Sequence, residues 1–244
     1  MGGEVSRAGD AADDLVLAAA VDPAAAGQER DGVVIEPSLE AVAQAACDVA
    51  VDFTHPASVL TNVRWCLEHG VHAVVGTTGM TPEDLDEIRS IADAGDANCV
   101  VAPNFALGAV LMMRFAAEAA RYFDAAEVIE LHHDAKADAP SGTALSTARA
   151  IAEVQQGEWA PPDAIGEHAV ARGADVDGVH VHAVRLPGLV AHQEVVFGGP
   201  GQVLLIRHDA MDRAAFIPGV LLAIRAVAER PGLTVGLDAL LDRR

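Results

Sequence analysis

Residues 48–79 read DVAVDFTHPASVLTNVRWCLEHGVHAVVGTTG. Segments 48–53 and 71–75 are short and rich in valine, and turn residues bound them, so both read as strands. Between them Pro56-Ala57-Ser58 opens a helical pattern that runs to His69, and Gly70 supplies the C-cap. Strand, helix, strand in this order is a βαβ unit, the connection that joins parallel strands.

The same alternation continues outward. Upstream, 15–21 (LVLAAAV) reads as a strand ending at Asp22-Pro23, and 33–35 as another. A helix started by Pro37-Ser38 then runs to Ala46. Downstream, Thr81-Pro82-Glu83-Asp84 opens a helix with Thr at the N-cap, Pro at the first helical position and acids in the first turn. Residues 98–102 (NCVVA) form a strand that ends in Pro103-Asn104-Phe105.

Past Phe105 the pattern changes. A long helix covers 108–122, a strand 126–131, a helix from Ser141-Gly142-Thr143 to Val154, and a Pro-containing loop 157–166. Strands over 179–185, 191–197 and 202–208 follow without helices between them, which points to a mixed or antiparallel sheet. A last helix over 214–228 stops at Arg230-Pro231-Gly232. The expected fold class is therefore α/β. It pairs a Rossmann-type doubly wound sheet over 1–105 with an α+β domain whose open mixed sheet carries helices on one face.

Composition narrows the function. No apolar stretch among the 244 residues approaches the ~20 needed for a membrane span, and no basic flank precedes an apolar run as in a secretory signal. A soluble, cytoplasmic protein is expected. The net charge of −20 argues against nucleic acid, whose phosphates need a basic footprint, and suits a solvated exterior. Cys47, Cys66 and Cys99 have no metal-like spacing and read as small buried hydrophobes. Lys136 is the only lysine in a chain that otherwise uses arginine for positive charge. Lysine can donate a proton where arginine practically cannot, so by itself a lone lysine either marks a place where an ammonium has chemistry to do or reflects drift at one position.

In open parallel sheets, ligands sit at the carboxyl ends of strands. Three polar or glycine-containing turns fall there: Asp22, Gly76-Thr77-Thr78 and Ala102-Pro103-Asn104-Phe105. An acid at the end of the second Rossmann strand takes the adenosine ribose, and Gly76 lets a ligand approach the backbone. Together they predict a dinucleotide site. Met1-Gly2-Gly3-Glu4-Val5-Ser6-Arg7-Ala8 reads as the first turn of the helix that follows a Gly-rich phosphate-binding turn. The expectation is that the first strand is missing and that Met1 is internal to the motif.

The chemistry concentrates in His132-His133-Asp134-Ala135-Lys136-Ala137-Asp138-Ala139-Pro140-Ser141-Gly142-Thr143-Ala144. Two histidines follow a strand, the lone lysine lies four residues from the first, and Ser-Gly-Thr caps a helix whose N–H groups suit an anion. Histidine and lysine can move protons near neutral pH. Proton chemistry on an acidic small molecule is the favoured reading. A metal site remains open on these residues alone, with a third ligand from His180, His182, His192 or Asp138.

The string ELHHDAKADAPSGTA, Glu130 to Ala144, resembles the signature of the dihydrodipicolinate reductases, actinobacterial members most of all. Val51-Asp52-Phe53-Thr54-His55-Pro56, Gly76-Thr77-Thr78-Gly79, Ala102 to Phe105 and Arg172-Gly173 fall in the same order as in that family. The resemblance implies reduction of 4-hydroxy-tetrahydrodipicolinate to tetrahydrodipicolinate by NADPH or NADH, in lysine and diaminopimelate biosynthesis. It implies His132 as general acid/base and Lys136 as proton donor to the ring, with His133, Lys136, Ser141, Gly142 and Thr143 on the substrate carboxylates. Asp22, Gly76, Thr77, Thr78, Ala102, Pro103, Asn104 and Phe105 would bind the nucleotide. It further implies that 213–244 returns to the nucleotide domain, that 106–212 binds substrate, and that the latter's sheet builds a homotetramer without metal. Two other readings stand beside this one: a catalytically impaired nucleotide-binding or regulatory subunit, and another two-domain amino-acid dehydrogenase.

Overall fold

Strands β4 (Val49–Asp52) and β5 (His72–Val75) pair in parallel, Val51 opposite Val74, with helix α3 (Pro56–Glu68) between them in sequence. The computed structural model describes residues 1–155 and 169–241, so the loop expected over 157–166 lies outside the described residues. The chain divides into two units, Met1–Ala106 with Arg213–Arg244, and Leu107–Asp212.

In the first unit, β6 (Cys99–Val101) and β12 (Leu233–Val235) extend the parallel sheet in the order β12-β6-β5-β4. One face packs on α3 and α4 (Pro82–Ala94), where Val59, Val63, Ile88, Ala73, Val75 and Cys99 are buried together. The other face is covered by α7 (Ile217–Val227), which packs against β5 and β6. Burial on both faces is why these strands read as continuous apolar runs without alternation. Local signals set the helix ends. Gly70 adopts a φ of +74° at the end of α3, a conformation that costs glycine little. Thr81 and Asp84 close a reciprocal capping box, with Asp84 N–H donating to Thr81 Oγ1 at 3.2 Å and Thr81 N–H to Asp84 Oδ2 at 2.7 Å.

The first unit departs from expectation near its N-terminus. After α1 (Gly2–Asp10), only β1 (Ala20–Val21) of the strand expected over 15–21 forms. Strand β3 (Val33–Glu36) offers a parallel partner to Ala20 and Val21 alone, and a strand exists only where a neighbour takes its hydrogen bonds. With β2 (Glu29–Arg30) these make a separate three-stranded sheet, β1-β3-β2, not joined to β4. The next helix is also shorter than read, α2 (Glu40–Gln44). Cys66 and Cys99 are buried, and burial pushes both thiols up to about 12. The half-buried Cys47 thiol is raised for the same reason.

The second unit holds a five-stranded sheet ordered β11-β10-β7-β9-β8. Its strands are β7 (Ala125–His132), β8 (Ala174–Val176), β9 (Val179–Arg185), β10 (Ala191–Gly199) and β11 (Gln202–Ala210). β7 and β9 run parallel and the other pairs antiparallel, so the sheet is mixed. Helices α5 (Leu107–Ala119) and α6 (Gly142–Ala152) cover one face. Beneath them Ala116, Val128, Ala148, Ile151, Val181, Val195 and Phe197 form the core. Strand β8 was absent from the sequence reading, although Asp177-Gly178 is a two-residue hairpin signal. Both residues have positive φ, as a type I′ turn requires.

Candidate functional site

Alternation along β7 points Val128, Glu130 and His132 to the helix-covered face. Glu130 is therefore a carboxylate among core residues, 0% exposed. A buried charge needs full hydrogen bonding to be tolerated, and Glu130 has it. Arg185, opposite His132 on β9, places its fork on both oxygens: Nη2 donates to Oε1 and Nη1 to Oε2, each at 2.8 Å. The Ser141 N–H donates to Oε1 at 3.0 Å, and His132 Nδ1 meets Oε2 at 2.5 Å. Burial is the largest influence on Glu130 and pushes its pKa up. Arg185, His132 and the Ser141 N–H together outweigh it and hold the carboxyl below the usual range.

The His132 ring sits below its ordinary value, chiefly through burial, with Lys136 and Arg185 adding to that and Glu130 opposing it. It is therefore neutral at pH 7. Lys136 lies on the loop that follows, with Nζ bonded to both oxygens of Asp138 at 2.8 Å. Ser141 is the N-cap of α6, its Oγ accepting from the Ala144 N–H at 3.2 Å, and Gly142 and Thr143 are the first helical residues. The turn is held from below. Gln193 Nε2 donates to Thr147 Oγ1 at 2.8 Å, and Thr147 Oγ1 donates to the Thr143 carbonyl at 2.8 Å. His133 is exposed on the same loop. The second unit thus gathers a neutral imidazole, an ammonium and the N-terminus of an 11-residue helix within one short segment. Such a set can bind a carboxylate and deliver a proton.

Three of the four side chains considered as a third metal ligand are taken up by other partners, and the buried Nδ1 of the fourth, His180, has no hydrogen-bond partner among the described residues. His182 Nε2 meets Glu127 at 2.8 Å, His192 Nδ1 meets Asp209 at 2.6 Å, and Asp138 is paired with Lys136. Among the described residues, no group of three or more metal-ligating side chains converges.

The acid dependence of stability follows from the same contacts. A carboxylate whose folded pKa lies below its unfolded one stabilises the fold above the unfolded value, and loses that contribution as pH falls through the folded one. Glu130, Glu127, Asp138 and Asp209 are all lowered. His132, held neutral, adds a cost once the unfolded ring begins to protonate below about pH 6.5. Thermal unfolding followed from pH 7.5 to 3.5 should show a shallow loss beginning near pH 6.5 and a steep one below about pH 4. A flat profile down to pH 4 would contradict the assignment.

In the first unit, Gly76-Thr77-Thr78 and Ala102-Pro103-Asn104-Phe105 lie side by side at the carboxyl ends of β5 and β6. The Ala102 N–H donates to the Val75 carbonyl at 3.0 Å. Asp22 stands at the end of β1 in the separate sheet, its Oδ1 accepting from the Ala24 N–H at 2.9 Å. Ala102 and Phe105 are buried, so only their backbone can meet a ligand, while Pro103 and Thr78 are exposed. A pocket of ≈ 380 Å³ is lined by Thr54, Gly76, Thr77, Thr78, Arg213 and Phe216, with Met1 at the start of α1. Threonine hydroxyls, an arginine and a helix N-terminus fit the phosphates and ribose of a nucleotide. Thr77 is held by Asp52, whose Oδ1 accepts from Thr77 Oγ1 at 2.6 Å and from the Thr54 N–H at 3.0 Å. Gly76 has a second reason to be glycine, because a Cβ there would fall on the Phe53 ring.

Sequence reasoning missed Glu130 and Arg185 as site residues, and likewise Asp52 and Arg213. An acid at an inward-facing strand position was the available signal for Glu130. Arg185 joins it across 55 residues of sequence, with no local sign.

Residues 1–105 match the family described as "Dihydrodipicolinate reductase, N-terminus", and 108–241 the family described as "Dihydrodipicolinate reductase, C-terminus". The chain is 54% identical over 235 residues to the 4-hydroxy-tetrahydrodipicolinate reductase of Mycolicibacterium vanbaalenii, covering 96% of this chain and 91% of that one. It is 54% identical over 246 residues to the same enzyme of Nocardia farcinica, covering 99% and 94%. A solved structure, dipicolinate-bound dihydrodipicolinate reductase from Paenisporosarcina sp. TG-14, superimposes with a TM-score of 0.89 at 40% identity, over 98% of this chain and 95% of that one.

Proposed function

The chain belongs to the dihydrodipicolinate reductase family, and on that premise we propose that His132 and Lys136 carry the proton chemistry of its reaction. The protein is a pyridine-nucleotide-dependent oxidoreductase of lysine and diaminopimelate biosynthesis that reduces 4-hydroxy-tetrahydrodipicolinate to tetrahydrodipicolinate. The nucleotide supplies the hydride. The substrate also takes up a proton and loses its hydroxyl as water, which balances the step.

The observation that carries the assignment is the His132 ring bonded through Nδ1 to a buried carboxylate, on the segment that also bears the only lysine. Lys136 donates to the ring and His132 serves as general acid/base. His133, Lys136, Ser141, Gly142 and Thr143 take the two carboxylates, through the cation and the first turn of α6. Dipicolinate, the ligand of the Paenisporosarcina relative, is a dicarboxylate of the kind this segment suits. Substrate competes with Asp138 for the Lys136 ammonium. Asp22, Gly76, Thr77, Thr78 and the backbone of Ala102 to Phe105 bind the nucleotide. Pro23 follows Asp22 where a basic residue would favour a ribose phosphate, so NADH and NADPH both serve. The cytoplasm, where pyridine-nucleotide pools and amino-acid precursors meet, is its compartment.

Oxidation of each nucleotide with freshly generated 4-hydroxy-tetrahydrodipicolinate tests this reading, with dipicolinate expected to inhibit competitively. Turnover with both nucleotides at kcat/KM values within about tenfold supports it, tenfold being 1.4 kcal/mol of transition-state binding. A hundredfold preference for NADPH would refute dual use, and absence of turnover would refute the function.

The second unit's sheet is the surface proposed to build a homotetramer. β11 is an edge strand, and Val203 and Leu205, 72% and 52% exposed, lie on the face that α5 and α6 leave open, beside half-buried Val196. Exposed apolar sheet of this kind marks an interface. Light scattering should report four chains for the wild type and fewer for the variant with Val203→Glu and Leu205→Glu. A wild-type monomer would refute it.

A further inference from the structure

We propose that the buried Glu130 and the half-buried Arg185 are a pair of positioning residues that sets which nitrogen of His132 carries its proton and holds the loop bearing Lys136. The inference rests on the proposed roles of His132 and Lys136.

The carboxylate determines the tautomer. Glu130 accepts at both oxygens from Arg185, at Oε1 also from the Ser141 N–H, and it meets His132 Nδ1 at Oε2. Ionised, it has no proton to give, so the hydrogen between it and His132 sits on Nδ1. The neutral ring then keeps its lone pair on Nε2, which has no hydrogen-bond partner among the described residues. A histidine without such an acceptor would divide between tautomers, and part of the molecules would present the wrong nitrogen.

Arg185 has the wrong valence for a substrate ligand. Its five N–H groups are all engaged: Nε with the Lys136 carbonyl at 3.3 Å, Nη1 with Glu130 and the Val184 carbonyl at 2.7 Å, Nη2 with Glu130 and the Asp138 carbonyl at 2.7 Å. A cation within the site would ordinarily be assigned to a substrate carboxylate. Here no donor is left for one. Its bonds instead hold the backbone at Lys136 and at Asp138, the two ends of the Lys136–Asp138 ion pair. One carboxylate thereby ties the imidazole, the start of α6 and the lysine loop to a common point.

Stability alone does not account for such a pair. An ion pair with a fully buried carboxylate contributes little net stability compared with well-packed apolar residues of the same volume, because desolvation of that carboxylate offsets the attraction. Glu130 and Arg185 have a function in geometry that an apolar pair could not perform.

The experiment is long-range ¹H–¹⁵N correlation of the histidine rings at pH 7.5, with His132 assigned by its disappearance in His132→Gln. The wild type should show the proton on Nδ1. In Glu130→Gln the amide oxygen stays with Arg185, and its NH₂ turns to His132, which forces the proton to Nε2. That variant should lose between about 100-fold and 10,000-fold in kcat, the upper figure being the loss when the orienting acid of a Ser-His-Asp triad becomes an amide. Its KM should stay within about threefold, and Glu130→Asp should recover part of kcat because it restores the charge. Arg185→Lys, which cannot span two carbonyls and a carboxylate, should raise KM about tenfold and leave the tautomer unchanged. A wild-type ring protonated on Nε2 overturns the proposal even if no variant folds. So does a folded Glu130→Gln with kcat within threefold of wild type. If the wild type turns no substrate over, the functional reading fails, while the ring spectrum still decides the tautomer.

Discussion

Lys136→Met is expected to lower kcat by about 10²- to 10⁴-fold, the usual worth of a positioned general acid, with nucleotide affinity unchanged within about twofold. The reasons lie in separate parts of the fold. Lys136 belongs to the second unit, on the loop between β7 and α6, whereas the turns at the ends of β5 and β6 belong to the first. Nucleotide binding, read by fluorescence titration, should therefore survive. The decisive variant is Lys136→Arg. Arginine keeps the charge and can still hold a carboxylate, but it does not release a proton near neutral pH. KM should stay within a few fold of wild type while kcat falls nearly as far as in Lys136→Met. Near-normal turnover in Lys136→Arg would show that only charge is needed, as a dehydrogenase acting on an amino acid would allow. His132→Gln should match Lys136→Met in the depth of its loss. The double variant should fall well short of the product of the two, since residues acting as a unit are not additive.

Gly219→Ala is expected to destabilise the first unit by about 3 kcal/mol, the upper part of the range for an extra methyl forced into a packed site. A Cβ on Gly219 would land on the Phe105 carbonyl oxygen, with Leu237 Cδ2 only 2.8 Å away. A side chain can rotate out of such a clash, but a backbone carbonyl cannot. Helix α7 would have to lift from the sheet, exposing Val220, Ala223 and Val227, all 0% exposed. The melting temperature should fall by about 6–12 °C for a chain of this size. The clash falls on the turn from Ala102 to Phe105, so nucleotide affinity should fall with it, while the histidine spectra of the second unit stay as in the wild type. A variant that melts within about 2 °C of wild type would mean that α7 has slack where the structure shows none.

Much of this protein was legible from local chemistry. The βαβ rhythm over 48–79, the Thr81 capping box and the Gly70 C-cap are short-range features, set by side chains within a few residues of the backbone they control. The open mixed sheet was readable in the same way, because three strands followed one another with no helix between them. The segment from His132 to Thr143 stood out as a candidate site because its chemistry is contiguous: histidine, lysine and the helix cap lie within 12 residues.

What the sequence did not determine depends on partners distant along the chain. The strand read over 15–21 forms only at Ala20 and Val21, because β3 pairs with those two alone. Phe105 reads as the end of a nucleotide-binding turn, with no local sign that α7 returns to rest on its carbonyl more than a hundred residues later. Lys136 reads as a proton donor and a ligand of the substrate, and the ion pair that Asp138 makes with it shows only in the structure. Glu130 appears in sequence as one acid in an alternating strand, and its partner Arg185 lies 55 residues away. Residue types and short spacings determine which groups can move a proton. Only the tertiary structure decides which nitrogen carries it, because the acceptor, Glu130, is held by Arg185 from the neighbouring strand β9.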